Sequence, residues 1–308
     1  MSPTPSETLT ATPSPTPSNT PTATCTPSPT PTLTQTPTPT PTLLPLHAEV
    51  GLERPEVLQG RTTVVRAQTS LPCQVWGKVD DRTLRFVSIS DLEHYCLVGM
   101  PALDWLGPHS LEVVAQAEDG RRVALQTSLY VVAGNYEHET IHFTPEVAKL
   151  LDPKYTRPEL LRLAEVYATF TPSAYWEETF AWPFEGPITS YFGTRRNYGG
   201  KTQSYHAGVD INGETGDLIR APAPGMVVLA DVLKVRGGAI ILDHGAGVLS
   251  GFYHLDSIGV EVGQFVKQGD VLGKMGATGL STGSHLHWEL RVGGVAVDPA
   301  EWTERQFP

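Results

Sequence analysis

His285-Leu286-His287, near the C-terminus of this 308-residue chain, opens a β-type run that extends to Val292. Residues two apart in a β-strand point to the same face of the sheet. We therefore expect His285 and His287 to share one face, while Leu286 turns into a core. The pattern predicts a strand that presents two imidazoles to one side.

A second motif, His206-Ala207-Gly208-Val209-Asp210, lies earlier in the chain. In a strand, His206 and Asp210 also point to one side, so two neighbouring strands would present both pairs to one groove. Two imidazoles and a carboxylate, with one position left for water, form the ligand set of a catalytic zinc site. Each motif alone recurs by chance. Their co-occurrence, with Tyr253-His254-Leu255 between them, favours a metal site.

Glycine dominates the C-terminal part of the chain, which carries 22 of the 29 glycines from Trp182 onward. Turns therefore come every few residues, and long helices are excluded. Strand-like runs separate the turns, at residues 225–230, 239–243, 248–254, 260–266 and 285–292. Strands and helices do not alternate, which argues against a parallel α/β sheet. We predict antiparallel hairpins.

Residues from about 182 to 302 closely resemble the lysostaphin-like zinc metallopeptidases, which cut peptide cross-links in bacterial cell walls. The segments that carry the resemblance are residues 190–196, 206–210, 221–225, 253–255, 263–273 and 276–289. The resemblance implies a small, mainly antiparallel β-sheet domain whose sheet floors a long open groove.

Carried over by position, the resemblance implies that His206, Asp210 and His287 bind one Zn²⁺ per catalytic domain. The family's two further catalytic histidines fall on His254 and His285. This set is complete, whereas some relatives have lost ligands and act only as regulators of other wall hydrolases.

The chemistry of amide hydrolysis assigns roles to the two further histidines. Zinc held by two neutral imidazoles and a carboxylate lowers the pKa of its bound water toward about 7. A histidine then accepts the water's proton and delivers one to the leaving nitrogen. We assign the general base to His285, with His254 sharing the role or stabilising the tetrahedral intermediate. The division between them remains open, and the alternative for His254 is a half-buried structural histidine.

Four residues before or beside the first ligand are candidates for substrate binding. Arg195 or Asn197 is expected to hold a peptide carboxylate or backbone, because arginine forms a planar bidentate fork. Tyr198 or Tyr205 is expected to donate to the oxyanion. A solvated basic loop and ordinary groove-wall tyrosines are the alternatives.

Two functions compete for this chain. The first is a zinc metalloendopeptidase that hydrolyses peptide cross-links of bacterial peptidoglycan. The second is a non-catalytic cell-wall-binding or regulatory module that activates other wall hydrolases. The complete ligand set favours the first. The net charge of −11 argues against nucleic acid as a partner, because affinity for its backbone needs clustered Lys and Arg.

The N-terminal residues 1–46 contain 13 Pro and 16 Thr, and Glu7 is their only charged residue. Such a segment is expected to be a disordered stalk, because it cannot bury enough apolar surface to offset its ordering entropy. Its Thr-Pro repeats are similar to the O-glycosylated stalks of secreted proteins. We therefore expect an extracytoplasmic protein, secreted or at the cell surface. No signal peptide precedes the repeats, so we expect a signal or membrane anchor upstream of this sequence.

The remaining chain divides into three predicted regions: an immunoglobulin-like β-sandwich at 47–135, a helical connector at 136–178 and the zinc metallopeptidase domain at 179–308. Sandwich strands are expected at 64–68, 74–79, 85–89, 111–117 and 123–132. Cys73 and Cys96 form either a disulfide or two buried thiols.

In the connector, one helix is expected to begin at Thr144-Pro145 and a second at Arg157-Pro158. The apolar face of the second helix is expected to pack against the catalytic domain. Its members are Leu160, Leu163, Ala164 and Tyr167.

Overall fold

The computed structural model describes residues 44–198 and 203–308, and these residues are mainly β, as predicted. The predicted stalk therefore lies almost entirely outside the described residues. The N-terminal strands are β1 (Ala48–Leu52), β2 (Glu56–Leu58), β3 (Thr62–Thr69), β4 (Cys73–Val79), β5 (Arg82–Arg85), β6 (Val87–Ser88), β7 (Glu93–Gly99), β8 (Gly107–Ala117), β9 (Arg122–Val132) and β10 (His138–Thr140).

Two helices follow, α1 (Pro145–Ala148) and α2 (Pro153–Tyr167), joined by a 3-10 turn at Lys149–Leu151, and α3 (Pro299–Glu304) lies near the C-terminus. The remaining strands are β11 (Ile188–Ser190), β12 (Arg195–Asn197), β13 (Gln203–Tyr205), β14 (Gly208–Asn212), β15 (Leu218–Arg220), β16 (Gly225–Leu233), β17 (Gly237–Gly245), β18 (Val248–Leu255), β19 (Ser257–Ile258), β20 (Phe265–Val266), β21 (Val271–Lys274), β22 (His285–Val292) and β23 (Val295–Val297). No described helix combines the length and apolar character that crossing a membrane requires.

The first nine strands form two sheets, in the orders β1-β3-β7-β6 and β2-β9-β8-β4-β5. Val65 of one sheet and Leu111 of the other belong to the same buried apolar cluster, so the sheets pack against each other. The sequence missed β7, because six consecutive residues of this strand are buried and the pattern lacks the alternation of a half-buried strand. The immunoglobulin-like description stays a prediction, as do the domain boundaries.

Cys73 and Cys96 are free thiols on strands of different sheets. Burial raises the pKa of the Cys96 thiol to about 12. Of the two alternatives that the sequence leaves open, the structure therefore has the thiols.

The C-terminal strands form an antiparallel sheet in the order β11-β14-β22-β18-β17-β16-β20, with β23 paired to β22. The predicted hairpins are confirmed, and β22 spans the predicted residues 285–292. The strand predicted at 260–266 is wrong except for the two residues of β20. Gly263 adopts a φ of +88° there and turns the chain before the strand begins.

The N-terminal sheets and the C-terminal sheet pack into one compact unit from Leu44 to Pro308. The Glu301 side chain accepts a hydrogen bond from the Thr62 backbone N–H at 2.9 Å, and Arg61 forms an ion pair with Asp298 at 3.1 Å. Leu97 and Val292 share one buried apolar cluster. The N-terminal sheets are therefore held in a fixed position against the C-terminal sheet.

The connector helices start where capping residues allow. Thr144 caps α1, as predicted, by accepting a hydrogen bond from the Val147 N–H. The prediction for the second helix is wrong: α2 begins at Pro153, and Asp152 caps it through the Lys154 N–H. Asp152-Pro153 is an equally good start signal, and Pro158 is tolerated inside the helix.

The buried face of α2 consists of Glu159, Leu163 and Tyr167, whereas Leu160 and Ala164 are exposed. The predicted apolar face is therefore right for Leu163 and Tyr167 and wrong for Leu160 and Ala164. Glu159 is buried because its carboxylate accepts hydrogen bonds from the Val235 and Arg236 backbone N–H groups at 2.7 and 3.0 Å. This charged residue, together with the apolar ones, docks α2 on the turn between β16 and β17.

Replacing Glu159 by Leu leaves those two buried N–H groups without an acceptor. Each unsatisfied buried group costs about 1–3 kcal/mol, so we expect the free energy of unfolding to fall by about 2–4 kcal/mol in urea denaturation. Glu165→Leu is the control, because Glu165 is exposed on the same helix. Equal losses in the two variants would contradict the docking role of Glu159.

Candidate metal centre and groove

The pairing of β14 with β22 places Asp210 directly opposite His287. His206 lies between β13 and β14 rather than on the strand that carries Asp210, and its ring still reaches the carboxylate. His206 Nε2 is 3.0 Å from Asp210 Oδ1 and 2.9 Å from His287 Nδ1. His287 Nδ1 is 2.8 Å from Asp210 Oδ1. The three predicted ligands thus converge on one point.

In each imidazole, the nitrogen that points away from the donors has a partner of its own, and this partner decides which nitrogen offers its lone pair to a cation. His206 Nδ1 is 3.1 Å from the Tyr191 carbonyl, which only accepts, so Nδ1 carries the proton and Nε2 offers a lone pair. His287 Nε2 faces the buried Glu289 carboxylate at 3.9 Å, which leaves Nδ1 as the donor to a cation. Such outer partners orient the imidazoles of metal sites.

This donor set fits a zinc ion. Two imidazole nitrogens and a carboxylate oxygen that lie within 4.8 Å of one another are ligands that zinc prefers. Donors of a tetrahedral zinc lie about 3.3 Å apart, so the observed 2.8–3.0 Å needs only a slight expansion.

The local electrostatics also favour a cation. Burial lowers the pKa of His206 to about 4, so this imidazole is neutral at pH 7. Burial opposes ionisation of Asp210, but the neighbouring His206 and His287 outweigh it and hold the pKa of Asp210 well below its usual range. Burial also opposes a charge on His287, but hydrogen bonding to Asp210 and Glu289 outweighs it and raises the pKa of His287. The site therefore stabilises positive charge between its carboxylates.

His254 and His285 lie beside the three donors, with their ring centroids 4.9 Å apart. His285 Nδ1 is 2.9 Å from the Gly283 carbonyl, which leaves Nε2 as a lone pair 3.8 Å from Asp210 Oδ1. His254 Nδ1 is 2.8 Å from the Thr278 carbonyl, which likewise leaves its Nε2 free to accept. Burial lowers the pKa of both residues, that of His254 to about 3. Both are neutral at pH 7, as a base must be.

The backbone of His254 is strained. Its φ is +64°, in the left-handed region that residues other than glycine rarely adopt. Such strain costs roughly 1–3 kcal/mol and clusters at functional sites. The His254 N–H donates to the Arg236 carbonyl at 2.9 Å, so the turn before β17 stabilises this conformation.

The donors open into a groove of about 370 Å³. Tyr198 and Tyr205, two of the predicted substrate-binding residues, line this groove. Arg195 and Asn197 instead line a neighbouring cavity of about 390 Å³. The Arg195 side chain donates to the Ala102 carbonyl at 3.3 Å and lies over the Tyr136 ring.

Sequence reasoning missed several charged residues of the site. Arg196, rather than Arg195, reaches the metal donors and donates to Asp210 Oδ2 at 2.7 Å. Glu289 is fully buried and paired with Arg291 at 2.5 Å. Arg291 and Arg236 also line the groove. The alternation of polar residues along β22 continues through Glu289 and Arg291, and this signal points to the same face as His285 and His287.

A small antiparallel sheet with two histidines and an aspartate at the floor of an open groove is the arrangement expected of the lysostaphin-like class of metallopeptidase domains. Comparisons with known proteins agree with this class. The model of peptidase family M23 matches residues 204–299. A Pseudomonas aeruginosa structure solved as a peptidase M23 aligns with a TM-score of 0.59 and 28% identity, over 80% of this chain and 94% of that chain. Residues 204–299 are therefore a domain of peptidase family M23, the lysostaphin-like family.

Two curated relatives are similar in sequence to the C-terminal part. The murein hydrolase activator NlpD of Escherichia coli is 37% identical over 135 residues, 44% of this chain and 32% of that protein. The DD-carboxypeptidase/endopeptidase Mpg of Neisseria meningitidis is 36% identical over 112 residues, 36% of this chain and 26% of that protein. The chain spans about a third or less of the length of these relatives.

Gly208 allows the close approach of β14 and β22. A Cβ atom there would lie 2.2 Å from the Trp288 carbonyl oxygen and 2.9 Å from His287 Nε2. Overpacking of this kind costs about 1–3 kcal/mol, so we expect Gly208→Ala to lower the free energy of unfolding by that amount and to weaken zinc binding. Gly51→Ala is the matched control, since a Cβ at Gly51 meets nothing within 4 Å. If Gly208→Ala binds zinc as tightly as the control, then the close approach of β14 and β22 at Gly208 does not position the metal donors.

Proposed function

We propose that this chain is a zinc-dependent endopeptidase that hydrolyses peptide cross-links of bacterial peptidoglycan. Membership of family M23 supports a role on peptidoglycan, as a hydrolase or as an activator of hydrolases. The observation that carries the hydrolase is the convergence of His206, Asp210 and His287, with His254 and His285 facing the same groove. A non-catalytic wall-binding module has no use for two neutral imidazoles beside a metal site.

Zinc bound by the three donors supplies Lewis-acid chemistry, since it polarises a peptide carbonyl and makes water more acidic. The chain's own residues do the rest. A peptide in the groove has its carbonyl at the donors, and His285 Nε2 accepts the proton of the attacking water. His254 Nε2, which is also free to accept, shares that proton and, once protonated, donates to the tetrahedral intermediate. His285 then returns a proton to the leaving nitrogen.

The walls of the groove contribute binding. Tyr198 and Tyr205 contact the peptide, and Arg195 and Asn197 in the neighbouring cavity hold a carboxylate or backbone group further along it. Because peptidoglycan lies outside the cytoplasm, the proposed activity also requires an extracytoplasmic protein, secreted or at the cell surface.

The second candidate is an activator of other wall hydrolases, which the name of the 37% identical relative, murein hydrolase activator, favours. The two candidates differ in one measurement. A purified hydrolase releases new peptide ends from peptidoglycan by itself, whereas an activator does so only when a second hydrolase is added.

We predict that His206→Ala abolishes zinc binding and cleavage together. The zinc content found by metal analysis should fall from about one zinc per chain to near none, because a three-donor site rarely survives the loss of one ligand. Mass spectrometry of digested peptidoglycan should lose the peptide ends that the unchanged protein creates. His47→Ala is the control, because His47 is exposed and lines neither the groove nor the neighbouring cavity. Undiminished cleavage in His206→Ala would reject the proposal.

We predict that His285→Ala and His254→Ala separate metal binding from turnover. Both should retain zinc, and turnover should fall by about 10²–10⁴-fold, the usual contribution of a positioned acid–base group. Zinc content and initial cleavage rates of the same preparations provide the test. Loss of zinc from either variant would make that histidine a ligand and reject its assigned role.

A further inference from the structure

We propose that Glu139 is a positioning residue for the metal centre. Through Arg196 and Ser190 it holds two of the three proposed metal donors, Asp210 and His206, in place. This inference rests on the proposed zinc site. Glu139 lies outside the region that matches family M23, on β10 of the predicted connector. Its carboxylate contacts both Arg196 and Ser190, and each of these contacts a different metal donor.

The backbone brings Glu139 to the site by strand pairing. β10 runs parallel to β12, and Glu139 lies opposite Arg196 in the register. On the other side, Ser190 of β11 lies opposite Asp210 of β14. β10 is the edge of a separate three-stranded sheet, β10-β12-β13, and its Glu139 side chain reaches across to Ser190 of the sheet that carries Asp210.

The first path runs to Asp210. Arg196 Nε donates to Glu139 Oε1 at 2.5 Å, and Arg196 Nη2 donates to Asp210 Oδ2 at 2.7 Å. The guanidinium thus holds the carboxylate oxygen that does not face His206 and His287, and leaves Oδ1 for the cation. Glu139 balances the charge of Arg196, so that Asp210 does not have to neutralise the guanidinium alone.

The second path runs to His206. The Ser190 hydroxyl donates to Glu139 Oε1 at 3.1 Å, and its oxygen lies 3.1 Å from His206 Nδ1. Because the hydroxyl hydrogen is directed to Glu139, the Ser190 oxygen accepts from Arg196 Nη2 at 3.0 Å and shares the Nδ1–H of His206 with the Tyr191 carbonyl. This is a histidine–hydroxyl–carboxylate chain, which fixes the ring and strengthens its other nitrogen as a ligand.

Both paths pass through groups that solvent screens poorly. Ser190 is 8% exposed, and the Arg196 side chain is 13% exposed. Loss of outer partners of this kind typically lowers metal affinity 10–100-fold. The connector therefore supplies part of the metal site rather than only joining two regions.

The test is the zinc affinity of the metal-free full chain, measured by competition with a chromophoric chelator. We expect Glu139→Ala to bind zinc about 10–100-fold more weakly, and Glu139→Gln, which keeps an acceptor oxygen, to lie between it and the unchanged chain. Thermal unfolding of the metal-free variants shows whether each is folded. Glu137→Ala is the matched control, because Glu137 is exposed on the same segment and its side chain makes no ion pair with the residues that the structure describes.

A double variant tests the route. If Glu139 acts partly through Arg196, then adding Glu139→Ala to Arg196→Met should weaken zinc binding less than Glu139→Ala does in the unchanged chain, and the remaining effect measures the path through Ser190. A zinc affinity of Glu139→Ala within about twofold of the Glu137→Ala control would overturn the inference, whatever its thermal midpoint. So would a lower thermal midpoint with unchanged zinc affinity, which is the signature of a merely structural residue.

The outcome is independent of peptide cleavage. If the unchanged chain binds zinc but cleaves nothing, the endopeptidase proposal fails. The role of Glu139 is then still decided by the zinc affinities of its variants. If the unchanged chain binds no zinc, both proposals fall together.

Discussion

The antiparallel contact between β14 and β22 is the constraint on which the rest of the site depends. It sets Asp210 opposite His287 on the groove side and Ile211 opposite Leu286 on the core side. A slip of β22 by one residue would move His285 and His287 into the core and away from Asp210, because successive side chains of a strand point to opposite faces. Burial of Leu286 and Trp288 therefore fixes the positions of the metal donors as well as the fold.

Much of this was predictable from the sequence, because it follows from local alternation. The spacing of His285 and His287 specifies a shared face wherever the strand lies, and the glycine-rich turns specify hairpins. His206 lies beside Asp210, although it precedes β14 and does not stand on the same strand as Asp210. Local patterns therefore predict which residues meet more reliably than they predict the backbone path.

The outer residues of the site depend on contacts that no local pattern contains. Arg195 and Arg196 are neighbours on β12, so they point to opposite sides, and only the pairing with β10 decides which one reaches Asp210. The start of α2 is a similar case. Asp152-Pro153 and Arg157-Pro158 are both acceptable beginnings, and the observed helix starts at the first, where Asp152 caps it through the Lys154 N–H.

The strained backbone of His254 explains why that helix matters to the site. Its left-handed conformation costs roughly 1–3 kcal/mol and persists only if the surroundings hold it. The Thr278 carbonyl holds the ring, and the Arg236 carbonyl holds the backbone N–H. Arg236 is in turn held by Glu159, which accepts hydrogen bonds from the buried Val235 N–H and the partly buried Arg236 N–H, and these bonds are costly to break. The orientation of a proposed acid–base histidine thus depends on a carboxylate of the connector, just as the proposed metal donors depend on Glu139 at its other end.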